Sequence, residues 1–316
     1  MLFYLLRRLL YAVPIALGVT LVCFSLVHIG PGDPLSSILP PEASQAIVDR
    51  MKREYGLDQP LPLQYLIWLG KAAVGDFGTS IFTGRPVLAE IAPALVNSLI
   101  IAVGGALLGF LLGIVFGTVA GYCHGRPADR FFTAVAITGV SVPHYWLAIV
   151  LVIVFSVELM WLPALGMTGS GGTEFTFSGE NFRHMLLPVI ALSVIPMGVV
   201  ARTVRAQVAE LLNMDFVDAL RSKGLGEAKV FRHVAKNAAP QVLAVMGLQL
   251  GYLLGGSILI ETVFAWPGTG LLLNNAIFAR DIPLLQGTIL ALALIFVALN
   301  LLVDVVQAIL DPRIVR

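Results

Sequence analysis

Uncharged apolar runs alternate with polar stretches along most of this chain. A helix that crosses a bilayer needs about 20 mostly apolar residues. Five runs reach that length: residues 9–32, 91–125, 131–157, 237–260 and 282–303. A sixth, 184–201, is slightly short, but its helix can continue past Arg202 on the aqueous side. It carries Pro188, expected at the helix start, and Pro196, expected as a kink. The pattern predicts an all-α integral membrane protein with about six transmembrane helices.

Two non-spanning segments interrupt the pattern. Residues 33–93 form a long insert, rich in proline and in helix formers such as 47–55, expected to fold as short helices lying on the membrane. Residues 211–239 carry charges of both signs. The first run follows Arg7 and Arg8 and ends in Pro31-Gly32-Asp33-Pro34. It is longer than the apolar part of a cleavable signal, about 7–15 residues, so it reads as a retained span.

Lysine and arginine in the short loops set the orientation. Thirteen fall on one side, from Arg7 and Arg8 to Arg313 and Arg316, and two, Arg183 and Arg280, on the other. Both termini are therefore expected in the cytoplasm. Gly105, Gly109, Gly113, Gly117 and Gly121 recur every fourth residue, near one helix face. This is small-residue packing, either of an ordinary bundle or of a gate or subunit contact.

Composition narrows the class. Of 316 residues, 58% are hydrophobic and 12% charged, about half the charged share of a soluble domain. A net charge of +1 gives no field that would draw nucleic acid. Cys23 and Cys123 are too few for a disulfide framework and read as buried free thiols. The chain lacks the GxxxxGK[ST] phosphate loop, HExxH and GxSxG. His28, His124, His144, His184 and His233 lack metal-ligand spacing, so no metal site is expected. Glu158, Glu261 and Asp304 lie near helix ends, which argues against an ion-coupled carrier. Nothing supplies the buried nucleophile or metal cluster of an intramembrane enzyme. Gln249 and Ser257 are polar positions in the fifth run, suited to helix-to-helix hydrogen bonds or to lining a path.

The most informative stretch is 215–240. Asn213 or Asp215 can cap a helix whose Phe216, Ala219 and Leu220 share one face. Arg221 and Lys223 suit its last turn, and Gly224 its left-handed stop. A second amphipathic helix, 226–237, puts Val230, Phe231 and Val234 on one side and leads through Pro240 into the next span. Such a pair forms a compact plug for a partner, or rests on lipid headgroups.

These residues resemble the EAA loop of ATP-binding-cassette importer permeases. Asp218, Ala219, Leu220 and Gly224 take its Glu-Ala-Ala and Gly places, with Asp for Glu, Leu for the second Ala, and a late Pro240. Ala219, Lys223, Gly224 and Leu225 match the version in the peptide-transporting branch. Further stretches resemble the dipeptide, oligopeptide and nickel branch: Pro31-Gly32-Asp33-Pro34, Gly75-Asp76-Phe77-Gly78, Ser141-Val142-Pro143 and Glu261 through Gly268.

The resemblance implies a type I importer bundle in the bacterial inner membrane. Residues 1–94 would form the first span and a periplasmic insert, 95–304 the permease core with its coupling loop at 211–239, and 305–316 a cytoplasmic tail. Asp215, Asp218, Ala219, Leu220, Lys223, Gly224 and Leu225 would contact the ATPase, and Gln249 and Ser257 would line the path. Implied partners are a second homologous permease, one or two cytoplasmic ATPase subunits and a periplasmic substrate-binding protein. ATP and Mg would sit on the ATPase partners, with no cofactor or catalytic residue on this chain. Peptides, glutathione-like peptides and nickel complexes all fit as cargo.

Overall fold

A computed structural model describes residues 2–29, 45–46, 49, 58–169 and 171–310, and the side chains of all but some positions in the first and last helices. All of the expected helix at 47–55 except residue 49, and the tail beyond 310, lie outside these residues. Ten helices are labelled here in chain order. They are α1 (Leu2–Ile29), α2 (Leu61–Ala73), α3 (Val87–Tyr122), α4 (Pro127–Ser141), α5 (His144–Leu151), α6 (Gly179–Leu212), α7 (Asp215–Ser222), α8 (Glu227–Val263), α9 (Thr269–Ala279) and α10 (Ile282–Leu310). A π-helical stretch, Val152–Glu158, extends α5. Among the described residues there is no strand, only an isolated bridge between Thr79 and Pro86.

Among the described residues four helices are long and apolar enough to cross a membrane: α3, α6, α8 and α10. The run 131–157, expected as one span, is a broken pair, α4 and α5, bent by 99°. Pro143 causes the break. It restricts Val142 to extended backbone at φ −81° and ψ 125°. With that pair as one crossing the described residues hold up to five spans, and α1, whose apolar stretch Val13–Ser25 is shorter, packs along α10.

Two proline expectations change. α6 begins at Gly179, where Ser178 Oγ accepts from the Asn181 N–H at 3.2 Å, so Pro188 lies inside the helix with Pro196. Pro240 does not separate a second short helix from the next span, because α8 runs unbroken through it. A proline there frees the carbonyl four residues back, at the exposed Lys236, where water can serve it. The divisions at 94/95 and 304/305 fall inside α3 and α10.

The most extensive helix pairing is α3 with α6, along the glycine ladder. A Cβ on Gly113 would stand 2.9 Å from the Met197 carbonyl oxygen, and one on Gly117 2.5 Å from that of Ala201. The ladder thus serves packing within this chain. Glycine is required because the facing surface is backbone, which cannot rotate away. The opposite face of α3 exposes Val103, Leu107, Leu111, Ile114 and Val115.

Candidate functional site

α7 and its turn form a knob at one end of the bundle. Met214 occupies the N-cap position with no side-chain hydrogen bond, and Asn213 closes α6 instead. Neither Asn213 nor Asp215 therefore caps the helix as expected. Asp215 and Asp218 still lie in its first turn, where negative charge suits the helix dipole. Val217 is fully buried in the same apolar cluster as the fully buried Val230 and Val234, with Phe216, Leu220 and Leu225 packed around them. Ala219, expected to share the face of Phe216 and Leu220, is exposed. It follows Val217 by two positions, about 200° round the helix. Phe231 is 41% exposed, although its ring meets Tyr122 at 5.9 Å between centroids. The outer surface presents Asp215, Asp218, Ala219, Ser222 and Lys223.

Gly224 stops the helix at φ +77°. Its N–H donates to the Arg221 carbonyl at 2.9 Å, and the Leu225 N–H donates to the Leu220 carbonyl at 3.2 Å. These two bonds make a Schellman stop, for which glycine is the favoured residue. No heavy atom lies within 4 Å of a Cβ built there, so the demand for glycine is purely conformational. Across the turn Arg221 Nε donates to Glu227 Oε1 at 3.0 Å. That bond pushes the already basic guanidinium up.

Below the knob lies a clamp with no signal in local sequence. Asp129, in the first turn of α4, is 3% exposed. Its carboxylate accepts from Arg205 Nε at 2.5 Å and Arg205 Nη2 at 2.9 Å, from the Gly125 N–H at 2.9 Å and from Thr133 Oγ1 at 3.1 Å. This forked pair ties α4 to α6.

The far end is held by a buried hairpin between α8 and α9. Glu261 is fully buried and accepts from the Gly270 N–H at 2.6 Å, at the start of α9. Ser98 Oγ accepts from the Thr269 N–H at 2.8 Å. The buried Trp266 donates to the Asn97 carbonyl at 3.0 Å, and Asn97 Nδ2 donates to the Thr173 and Pro267 carbonyls, both at 2.9 Å. Asp281, 1% exposed, accepts from Ser80 Oγ and from the N–H groups of Phe82 and Leu284. The carboxylates occupy sites where helix-start N–H groups would otherwise lack partners.

Gln249 and Ser257 lie on α8 between these ends. Gln249 Oε1 is buried without a partner among the described residues, whereas Ser257 donates to the Leu254 carbonyl of its own helix at 3.0 Å. No cluster of His, Cys, Asp and Glu among the described residues could hold a metal ion.

Comparison with known proteins decides the family. Residues 113–316 match the family described as binding-protein-dependent transport system inner membrane component, and residues 1–91 match its N-terminal counterpart. The chain belongs to this permease family. The permease is 38% identical to a dipeptide transport system permease protein of Alkalihalophilus pseudofirmus, over 99% of both chains. It is 37% identical to a glutathione transport system permease protein of Escherichia coli, again over 99% of both. Its fold resembles a chain of the MetNI methionine ABC transporter in inward-facing conformations. The TM-score is 0.58 at 15% identity, covering 71% of the permease and 97% of that chain. The permease is a multi-pass inner-membrane transport subunit with a type I importer fold.

Proposed function

We propose that this permease forms half of the path of an ATP-driven importer for peptides or similar small solutes. A second homologous permease forms the other half. Cytoplasmic ATPase subunits supply ATP and Mg, and a periplasmic binding protein delivers the solute. The dipeptide and glutathione relatives, each matched over nearly the whole chain, support that cargo class. On the thirteen-to-two bias, both termini and the α7 knob face the cytoplasm.

The observation that carries the coupling role is the two-sidedness of α7. Its inner side is anchored in the apolar cluster through Val217, while Asp215, Asp218, Ala219 and Lys223 face outward. A knob seated this way moves with α6 and α8 as a unit, so a push from an ATPase reaches the spans directly. Gly224 sets the angle at which the knob stands. Gln249, with its unpaired carbonyl, and Ser257 are the candidate path residues on α8.

The test is Gly224→Val in the reconstituted transporter, compared with the parent at equal subunit recovery. A β-branched residue strains the left-handed backbone, while the spans are untouched. The variant should insert and assemble, yet lose solute uptake and the stimulation of ATP hydrolysis by loaded binding protein. Parental rates for both would sink the coupling role. Orientation is checked by labelling single cysteines from outside in a background without Cys23 and Cys123. Ser44→Cys should react and Ser222→Cys should not.

A further inference from the structure

Two clefts of similar size in the described surface differ in how their charged groups are used. The first, about 350 Å³ at the end opposite α7, includes Glu180, Arg183 and His184 in its lining. All three are engaged. Arg183 Nη2 donates to the Trp161 carbonyl at 2.7 Å, Glu180 accepts from the Gly169 N–H at 2.7 Å, and His184 Nδ1 lies 3.1 Å from the Gly166 carbonyl. The second, about 330 Å³, lies between α6 and α8 and is lined by Val199, Arg202, Thr203, Ala206, Gln207 and Gln241. Thr203 is satisfied by the Val199 carbonyl of its own helix at 3.1 Å. Arg202, Gln207 and Gln241 make no side-chain hydrogen bond or ion pair with another described residue.

Position sharpens the contrast. Arg205, three residues on, is neutralised by Asp129, and Arg221 by Glu227. No carboxylate lines the Arg202 cleft. Arg202 ends the uncharged part of α6, so the cleft sits at the α7 end of the span rather than in an outer loop. The free face of α3 is apolar throughout, as a surface against lipid should be. A free guanidinium and two free carboxamides in one cleft instead suit a polar occupant. The guanidinium fork matches a carboxylate bidentately. A carboxamide offers donors and an acceptor that match a peptide unit.

We propose that this cleft is a contact site for the oxyanion of the transported solute, with Arg202 pairing its carboxylate and Gln207 and Gln241 hydrogen-bonding its amide groups. The proposal rests on the peptide-importer reading and adds path residues beyond Gln249 and Ser257. A lipid phosphate is the other oxyanion at hand, and the experiment separates the two.

The complete transporter, with its binding protein, is reconstituted in vesicles and given alanyl-alanine or its C-terminal amide. Arg202→Gln should slow uptake of the free acid at least about tenfold, the low end for a hydrogen bond to a charged group. Uptake of the amide should stay within about twofold of the parent, and Arg202→Lys should fall between. An unchanged free-acid rate overturns the proposal. So does a loss equal for both peptides, including one that grows with the phosphatidylglycerol fraction of the vesicle, which would assign the cleft to lipid phosphate. A second arm needs no cargo. Gln241→Cys in the same complex, without its native cysteines, is treated with anionic and cationic methanethiosulfonates. Arg202→Gln should lower the anion-to-cation rate ratio about fivefold, and an unchanged ratio overturns the site. If the parent moves neither peptide, the peptide reading fails, and this arm alone decides whether the cleft attracts anions.

Discussion

The turn after α7 and the turn after α8 use the same residue types in opposite ways. At Gly224 the backbone is left-handed and the surrounding space is empty, and the nearby ion pair of Arg221 and Glu227 is exposed. At Gly268 and Gly270 the space is full. A Cβ on the first would strike the Glu261 carboxylate, and on the second the Ile258 backbone. The acid there, Glu261, is fully buried, with Oε2 spent on the helix-start N–H of Gly270. One hairpin is shaped to present a surface. The other is shaped to keep α8, α9 and α3 in one arrangement. Glycine alone therefore says little about a turn until its reason, conformation or crowding, is known.

Both hairpins hang from the α3–α6 seam, so the largest effect should come from breaking it. Gly113→Leu should cost at least about 3 kcal/mol, the top of the usual overpacking range, because it meets the Met197 carbonyl and Val200. The measurement is yield of assembled complex from membranes. Parental yield would mean that the two helices can separate without harm.

Next comes Gly270→Ala, at about 1–3 kcal/mol, read as a lower melting temperature of the purified complex with no selective loss of ATPase stimulation. Gly224→Ala should cost about 1 kcal/mol locally. It should barely move the melting temperature while weakening stimulation by loaded binding protein. Equal responses of the two alanine variants in both assays would erase the distinction between the hairpins. The smallest effect belongs to Arg221→Ala. Its ion pair is exposed, and such pairs contribute little. Melting temperature and uptake should match the parent, and a clear loss would show that this pair sets the knob's angle.

Much of the α7 turn was legible along the chain. A Schellman stop is local, made by residues 220–225, and its glycine leaves a mark in sequence. The anchored face was only partly legible: spacing grouped Ala219 with Phe216 and Leu220 and could not say that Val217, rather than Ala219, points at the core. The Asp129–Arg205 clamp was missed because its partners lie 76 residues apart. Arg202 and Arg205 looked alike, two basic residues closing one apolar run. Only the neighbouring helix decides that one is clamped and the other free.

The sequence by itself determined the class and most of the spans. Length of an apolar run, loop charge and turn chemistry are local quantities, and the bilayer reads them one segment at a time. Tertiary structure decided the use of the buried charges and of the glycine ladder, and the bend between α4 and α5 that turned one expected span into two helices. Ser80 meets Asp281 across 201 residues of chain, and Asn97 meets Pro267 across 170. Such pairs exist only once the helices have packed, because burial makes an unpartnered polar group costly and so favours the arrangement in which most find partners.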